Sequence, residues 1–167
     1  MGYHKQSLNK KLYENLQKFS IQSEINIFEF LRRFELYTEE QGSPIERAEL
    51  LYNSYLDNEV KLELVNKSKD YEAMKDWLRK KFGDLSIITN NILRTIEKEQ
   101  LPGESSSYQI QNDYYRKLNS IVKKIDELKK TVDVPLKDLE DHIYSAEFLK
   151  KLLKLIPKVV KNDFMDL

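Results

Sequence analysis

Few residue types in this chain could carry catalytic or metal chemistry. The sequence has no cysteine and two histidines, His4 and His142, so thiolate catalysis and cysteine-based zinc sites are excluded. His142 follows Asp138 by four residues, a spacing that puts both side chains on one face of a helix. A di-metal bundle needs a Glu-x-x-His pattern from each of two helices, and this pairing stands alone. We interpret it as a solvated helix face and predict no metal and no cofactor.

The glycines also argue against nucleotide chemistry. All four glycines of the chain are isolated from one another, so no glycine-rich loop is present to cradle a phosphate. Neither histidine has a nucleophile placed beside it in a recognisable arrangement, as nucleophilic catalysis requires. We therefore predict no catalytic residue and expect that the protein is not an enzyme.

A series of lysines near the carboxyl end is the second candidate for function. These lysines follow near-helical spacing and are Lys150, Lys154, Lys158 and Lys161, with Lys151 beside them. They could contact the phosphates of RNA or another polyanion without reading its bases. The alternative is a charged outer helix face opposite a leucine stripe. The net charge is zero, with 28 basic and 28 acidic residues, which favours the outer-face interpretation.

Three tyrosines form the third candidate. Tyr108, Tyr114 and Tyr115 could be platforms on which nucleic-acid bases stack. Aromatic residues at helical spacing more often belong to a half-buried core with the hydroxyl at the surface. We favour the core interpretation, although exposed tyrosines are also enriched at protein–protein contacts.

Composition indicates an all-α protein. The chain has 167 residues, 40% of them hydrophobic, and 4 Gly and 4 Pro leave little room for the turns of a large sheet. No apolar run approaches the roughly 20 residues that span a bilayer. The start of the chain lacks the apolar core of a signal peptide. We expect a soluble, cytoplasmic protein without a membrane span.

The apolar periodicity of the first half predicts five helices, each placed by its spacing of large side chains. They are expected at about 7–19, 24–41, 44–56, 60–65 and 71–82. Ser23, Ser43 and Asp70 are suitable N-caps for three of them. Pro44 at the first helical position and Glu46 completing a capping box strengthen the third helix.

The second half of the chain has its own helical periodicity. Helices are expected at about 85–99, 107–130 and 136–156, with a short last one after Pro157, which gives about nine helices in total. The buried stripe of the longest helix is predicted at Tyr108, Gln111, Tyr115, Leu118, Val122 and Ile125, widened by Tyr114, Ile121 and Leu128.

The helix at about 71–82 separates two sets of patterns. It contains the only Trp, Trp77, and is followed by Gly83, which we expect to end the helix in the left-handed conformation. We predict two lobes, residues 1–83 and 84–167, with residues 1–20 as a leading helix or arm. Phe82, Gly83 and Asp84 are the predicted hinge between them.

The order of these motifs resembles the capsid region of long-terminal-repeat retrotransposon Gag proteins of the Bel/Pao or Gypsy type. The first lobe is similar to the Gag pattern F-x-x-F-L-x-x-F-E-x-Y in its residues 27–37, and to a closing helix that ends in F-G-D at 82–84. The second lobe resembles the retroviral major homology region. The matching residues are Gln100, Glu104, Ser105, Tyr108, Tyr115 and Leu118, and a Leu-rich helix ending near Pro157 follows.

The resemblance implies two small helical lobes of retroviral-capsid type and a structural function. Such a protein assembles with copies of itself, its first lobes forming pentamers and hexamers and its second lobes linking them, into cytoplasmic virus-like particles around element RNA. No Cys-x-x-Cys zinc knuckle is present, so RNA contact would be weak or made through a missing nucleocapsid part. Two alternatives stay open: a domesticated capsid-like adaptor that binds peptides or proteins, and a helical RNA-binding module that uses the lysine series.

Overall fold

The computed structural model of the chain describes residues 16–39, 42–103 and 105–157. These residues form eight α-helices and one 3-10 turn, and they contain no β-strand, so the all-α prediction is confirmed. The helices are α1 (Ile27–Thr38), α2 (Pro44–Ser54), α3 (Asn58–Glu63), α4 (Tyr71–Phe82), α5 (Leu85–Glu97), α6 (Tyr108–Thr131), α7 (Leu136–Ile143) and α8 (Ala146–Leu155), and the 3-10 turn is Val65–Lys67. Within the described ranges, no helix is long and apolar enough to cross a membrane.

The chain divides into two compact units, Met1–Asp84 and Leu85–Leu167. The division falls one residue after the boundary drawn from the sequence. The first unit holds α1 to α4 and the second holds α5 to α8.

The core of the first unit lies where α4 packs against α1 and against α2. Phe30, Phe34 and Leu51 are wholly buried there, as are Met74 and Leu78 of α4. Burying a side chain of this size contributes roughly 1.5–3 kcal/mol each relative to leaving it in water. The aromatic-rich pattern of α1 is thus explained by burial against two neighbouring helices.

Side-chain caps fix where the helices of this unit begin. Ser43 Oγ accepts from Glu46 N at 3.2 Å, and Asp70 Oδ1 accepts from Ala73 N at 3.1 Å, as their positions predict. The start of α1 was predicted wrongly. Asn26 caps it, with Oδ1 2.9 Å from Glu29 N, while Ser23 Oγ instead accepts from Ser20 N at 2.8 Å.

The segment before α1 is not a helix where it is described. Phe19 forms a parallel bridge to Leu56: its N–H donates to Tyr55 O at 2.8 Å and its carbonyl accepts from Asp57 N at 2.9 Å. A helix would need those backbone groups for itself, so the predicted leading helix is wrong over 16–19. The rest of that prediction, 7–15, lies outside the described residues.

The second unit is built on contacts of α5 with α6 and α7, and of α7 with α8. The buried face of α6 is Tyr114, Ile121, Ile125 and Leu128. The main stripe predicted for this helix is therefore wrong in part, since Tyr108 is 83% and Val122 52% exposed. The apolar side chains of this helix are spread over two adjacent faces, and packing selects the one that begins at Tyr114.

The single helix predicted over 136–156 is two helices. The chain turns at Tyr144 and Ser145, where Ser145 Oγ donates to His142 O at 2.7 Å and accepts from Phe148 N at 3.2 Å. One hydroxyl thus serves the end of α7 and the start of α8. Leu139, Phe148 and Leu155 are buried as a result, whereas Leu149 and Leu153 are 40% and 54% exposed. The helix predicted after Pro157 lies outside the described residues.

Candidate functional site

The predicted hinge residues Phe82 and Gly83 belong to the packing of the first unit. The Phe82 ring is 5.2 Å from that of Phe19 and 6.0 Å from that of Trp77, centroid to centroid. Gly83 has φ −83°, so its predicted left-handed conformation is wrong. A Cβ there would lie 2.8 Å from the Phe28 ring and would collide with the Arg79 carbonyl oxygen, which Gly83 N–H contacts as a donor at 2.9 Å. Asp84 is exposed.

The residues that resemble a major homology region do not form one cluster. Gln100 and Ser105 are exposed in the connection between α5 and α6, and Tyr108 is almost fully exposed. Tyr115 and Leu118 are half-buried further along α6. Glu104 lies outside the described residues. No hydrogen bond joins two of the described members of this set.

Gln111, which the sequence assigned to the stripe of α6, instead holds the turn before that helix. Its Nε2 donates to Ser106 O at 3.0 Å, and Ser106 Oγ accepts from Gly103 N at 3.0 Å. Ser107 caps α6 by accepting from Ile110 N at 3.3 Å. The sequence did contain a sign of this role. Gln111 follows the cap Ser107 by four residues, and a polar side chain at that place can reach back to the turn before the helix.

His142 does not lie on a solvated face, so that interpretation is wrong. It is half-buried, its Nε2 is 3.0 Å from Thr89 Oγ1, and its ring centroid is 5.4 Å from that of Phe148. The fully buried Thr89 hydroxyl donates to Leu85 O at 2.8 Å, so it accepts from His142 Nε2–H. Asp138 is exposed. No group of three or more potential metal ligands occurs in the described part of the chain.

The tyrosines have different environments. Tyr114 is buried, and its hydroxyl donates to Leu155 O at 2.6 Å, which joins α6 to the end of α8. Burial, and secondly the charge of Glu99, raises the pKa of Tyr114. The core interpretation is correct for Tyr114 and wrong for the exposed Tyr108.

The first unit contains a polar group that the sequence did not indicate. Glu35 Oε1 accepts from the Tyr71 hydroxyl at 2.8 Å and pairs with Lys75 Nζ at 2.6 Å, so it ties α1 to α4. Burial, together with the hydrogen bond to Glu35, raises the pKa of Tyr71. The guanidinium of Arg47 lies over the Tyr71 ring, 5.7 Å from its centroid. This group stabilises the packing of α1 on α4.

The lysine series lies on α8 where it is described. Lys150 and Lys154 are both exposed, while Lys158 and Lys161 lie outside the described residues. Lys151 is half-buried, and its Nζ donates to Asn90 Oδ1 of α5 at 3.1 Å. Lys151 and Lys154 line an open cleft between α5 and α8. Two of the lysines, Lys151 and Lys154, thus line this cleft, whereas Lys150 does not.

Comparison with known proteins adds no assignment to this geometry. No protein-family model, no curated protein and no solved structure matches the chain. Its function has therefore to be argued from its own residues and contacts.

Proposed function

We propose that this protein is a structural capsid-type protein that assembles with copies of itself into a shell around RNA. The observation that carries the proposal is the division into two compact helical units at Asp84 and Leu85. The order of motifs that resembles Gag capsids predicts two such lobes with a boundary at this place.

Exposed apolar side chains support an assembling function. In the first unit Leu36, Ile45 and Leu62 are each more than half exposed, and α8 of the second unit exposes Leu149 and Leu153 on one face. A small apolar patch gives a weak contact, and symmetric assemblies repeat the same contact many times. A net charge of zero keeps the repulsion between copies small.

Particle formation tests the proposal directly. The full chain is concentrated at increasing salt, with and without RNA, and observed by negative-stain electron microscopy and by light scattering after size exclusion. We expect closed particles of regular diameter, because mass action favours weak repeated contacts at high concentration and added salt leaves apolar contacts intact. A strictly monomeric sample at every concentration and salt would contradict the proposal.

A matched pair of variants locates the contact. Leu149→Ser with Leu153→Ser removes the apolar face of α8 and should abolish particles while leaving the melting temperature within a few degrees. Glu147→Ser with Lys150→Ser changes two exposed residues of the same helix and should assemble normally. Equal particle yields from both pairs would exclude this face as a contact.

A further inference from the structure

A cleft of about 480 Å³ in the second unit has a charge pattern that the assembly proposal does not use. Its walls are Asn90, Arg94 and Glu97 of α5 and Lys151, Lys154 and Leu155 of α8. The α5 residues are spaced i, i+4 and i+7, and those of α8 are spaced i, i+3 and i+4, so each wall is a single helix face. Three cationic side chains and one carboxylate therefore meet across the cleft.

Two of these cations have no carboxylate partner within the described ranges. Arg94 and Lys154 occur in none of the ion pairs there, whereas Lys117 pairs with Glu99 and Lys129 with Asp126. Arg94 is half-buried and lines the cleft. An arginine in this setting presents paired N–H donors that match two oxygens of a phosphate.

Lys151 connects the two walls of the cleft. Its bond to Asn90 Oδ1 at 3.1 Å runs from one wall to the other and uses one of the three donors of the ammonium group. The remaining donors stay available to an anion. A second bond, from the Tyr114 hydroxyl to Leu155 O at 2.6 Å, fixes the carboxyl end of α8 beside Lys154.

The lining also indicates which part of a ligand is recognised. No aromatic residue lines the cleft, so it offers no platform for a base. Glu97 opposes any anion and leaves a charge of two positive units over the four ionisable side chains. The chemistry that fits is a phosphate group bound through charge, without reading of bases.

We propose that this cleft is a phosphate-binding site that takes the backbone phosphates of RNA. The proposal rests on the proposed function only for the choice of RNA as the source of the phosphate. The cleft residues themselves favour any accessible phosphate of suitable size, so a small polyphosphate is the alternative source and is one arm of the test.

The test measures binding of the full chain, at concentrations where it is not assembled, to a fluorescently labelled oligouridine by anisotropy. Arg94→Ala with Lys154→Ala should weaken binding about five- to tenfold at low salt. The slope of log affinity against log salt should also become about 1.4 less steep, because two phosphate contacts are lost and each contributes about 0.7 on a single strand. Glu97→Gln should tighten binding about two- to threefold, because it removes the opposing charge.

The control pair is Lys123→Ala with Lys130→Ala, which removes the same charge from exposed positions of α6 away from the cleft. The control should change the affinity less than twofold. Circular dichroism verifies that each variant is folded, and Lys154→Ala alone, at an exposed position, replaces the double variant if that variant unfolds.

Four outcomes decide the proposal. Loss of oligouridine binding in the cleft variant, with binding retained in the control variant, supports it. Equal loss of binding in the cleft and control variants overturns it and indicates that the oligouridine is attracted by the positive charges of the whole surface. If the oligouridine does not bind but inorganic tripolyphosphate does, and the cleft variant loses that binding by calorimetry, the phosphate site is supported and RNA is rejected as its source. Absence of binding to both probes overturns the site, whereas absence of particles with intact selective binding counts only against the assembly proposal.

Discussion

At the scale of single residues, Gly83 matters because it has no side chain. Its φ of −83° is open to any residue, so conformational freedom does not explain a glycine there. The Phe28 ring and the Arg79 carbonyl occupy the position that a Cβ would take. A side chain at residue 83 would therefore disturb the first unit itself, and it would not act only on a joint between two intact lobes.

Gly83→Ala should lower the free energy of unfolding of the first unit by about 1–3 kcal/mol, the usual cost of overpacking. The measurement is urea denaturation followed by fluorescence of Trp77, the one tryptophan of the chain, which packs on Phe82. Gly103→Ala is the control, because nothing lies within 4 Å of a Cβ at that position. Identical midpoints for both variants would show that the Phe28 contact is unimportant.

Glu29 is a buried carboxylate that two arginines neutralise. Its Oε2 accepts from Arg32 Nε at 2.9 Å and its Oε1 accepts from Arg33 Nε at 3.0 Å. The hydrogen bond from Arg32 is the main cause that holds the pKa of Glu29 below its ordinary value of 4.5, against the opposing effect of burial. A lowered pKa contributes stability above the ordinary value, and this contribution is lost as the pH falls through the pKa of the folded protein.

Glu29→Gln should therefore reduce stability by about 0.5–1 kcal/mol at pH 7, a modest value because both arginines are largely in solvent. The difference from the parent chain should shrink as the pH falls from 4.5 through the lower pKa that the carboxylate has in the folded protein. Thermal melts between pH 3 and pH 7 measure both effects. Asp76→Asn, which breaks an exposed pair with Lys80, should show little pH-dependent difference; a pH-independent loss in Glu29→Gln would refute the charge argument.

At the scale of elements, a cap followed by an apolar period located three helix starts but not that of α1, where Asn26 and not Ser23 is the cap. Ser43, Asp70 and Ser107 each precede such a period, and each caps a helix in the structure. The break at Ser145 was missed because the apolar residues on either side continue one helical period. Local pattern alone does not distinguish a long helix from two helices that share it.

The cleft between α5 and α8 was less predictable, because the pattern within one helix does not determine which neighbours the helix packs against. Tyr108 and Tyr114 both fit an apolar stripe of α6, and only the neighbouring helices determine which of them is buried. The lysines of α8 were visible in the sequence, but their partner wall, Arg94 and Asn90, lies more than 50 residues earlier. Contacts of that range depend on how helices pack, which spacing within one helix does not encode.

Ser145→Ala should destabilise the second unit by about 0.5–2 kcal/mol, because α8 loses its cap. The loss of molar ellipticity at 222 nm during heating measures this change. Ser120→Ala, at an exposed position within α6, is the matched control and should be neutral or slightly stabilising, since alanine favours helices. If Ser120→Ala and Ser145→Ala melt alike, the hydroxyl does not define the break between α7 and α8.

At the scale of the whole molecule, each unit has a hydrophobic core of its own. The first centres on Phe30, Phe34 and Met74, and the second on Ile92, Leu93 and Ile121, all with at most 3% of their surface exposed. Units of about 80 residues bury a smaller fraction of their surface than larger domains, so each should be of modest stability.

Fragments 1–84 and 85–167 should therefore each fold alone. Circular dichroism should show a helical spectrum and a cooperative thermal transition for each fragment, because the core of each lies within its own half. A fragment with a non-cooperative, gradual melt would show that its core needs residues from the other half. The full chain, measured at the same concentration, is the reference.

Phe19 contacts the rings of Phe30 and Phe82 at 5.3 Å and 5.2 Å, so one of the first described residues meets the last residue of α4. This contact has a consequence for how the protein is made. During synthesis, domains fold as units from the amino-terminal end. The ribosome releases Phe19 long before Phe82, so the ring cluster of Phe19, Phe30 and Phe82 cannot be complete until Phe82 has emerged. Completion of the first unit is therefore timed by the emergence of Phe82, the residue directly before Gly83, and the second unit begins to emerge just as the first closes.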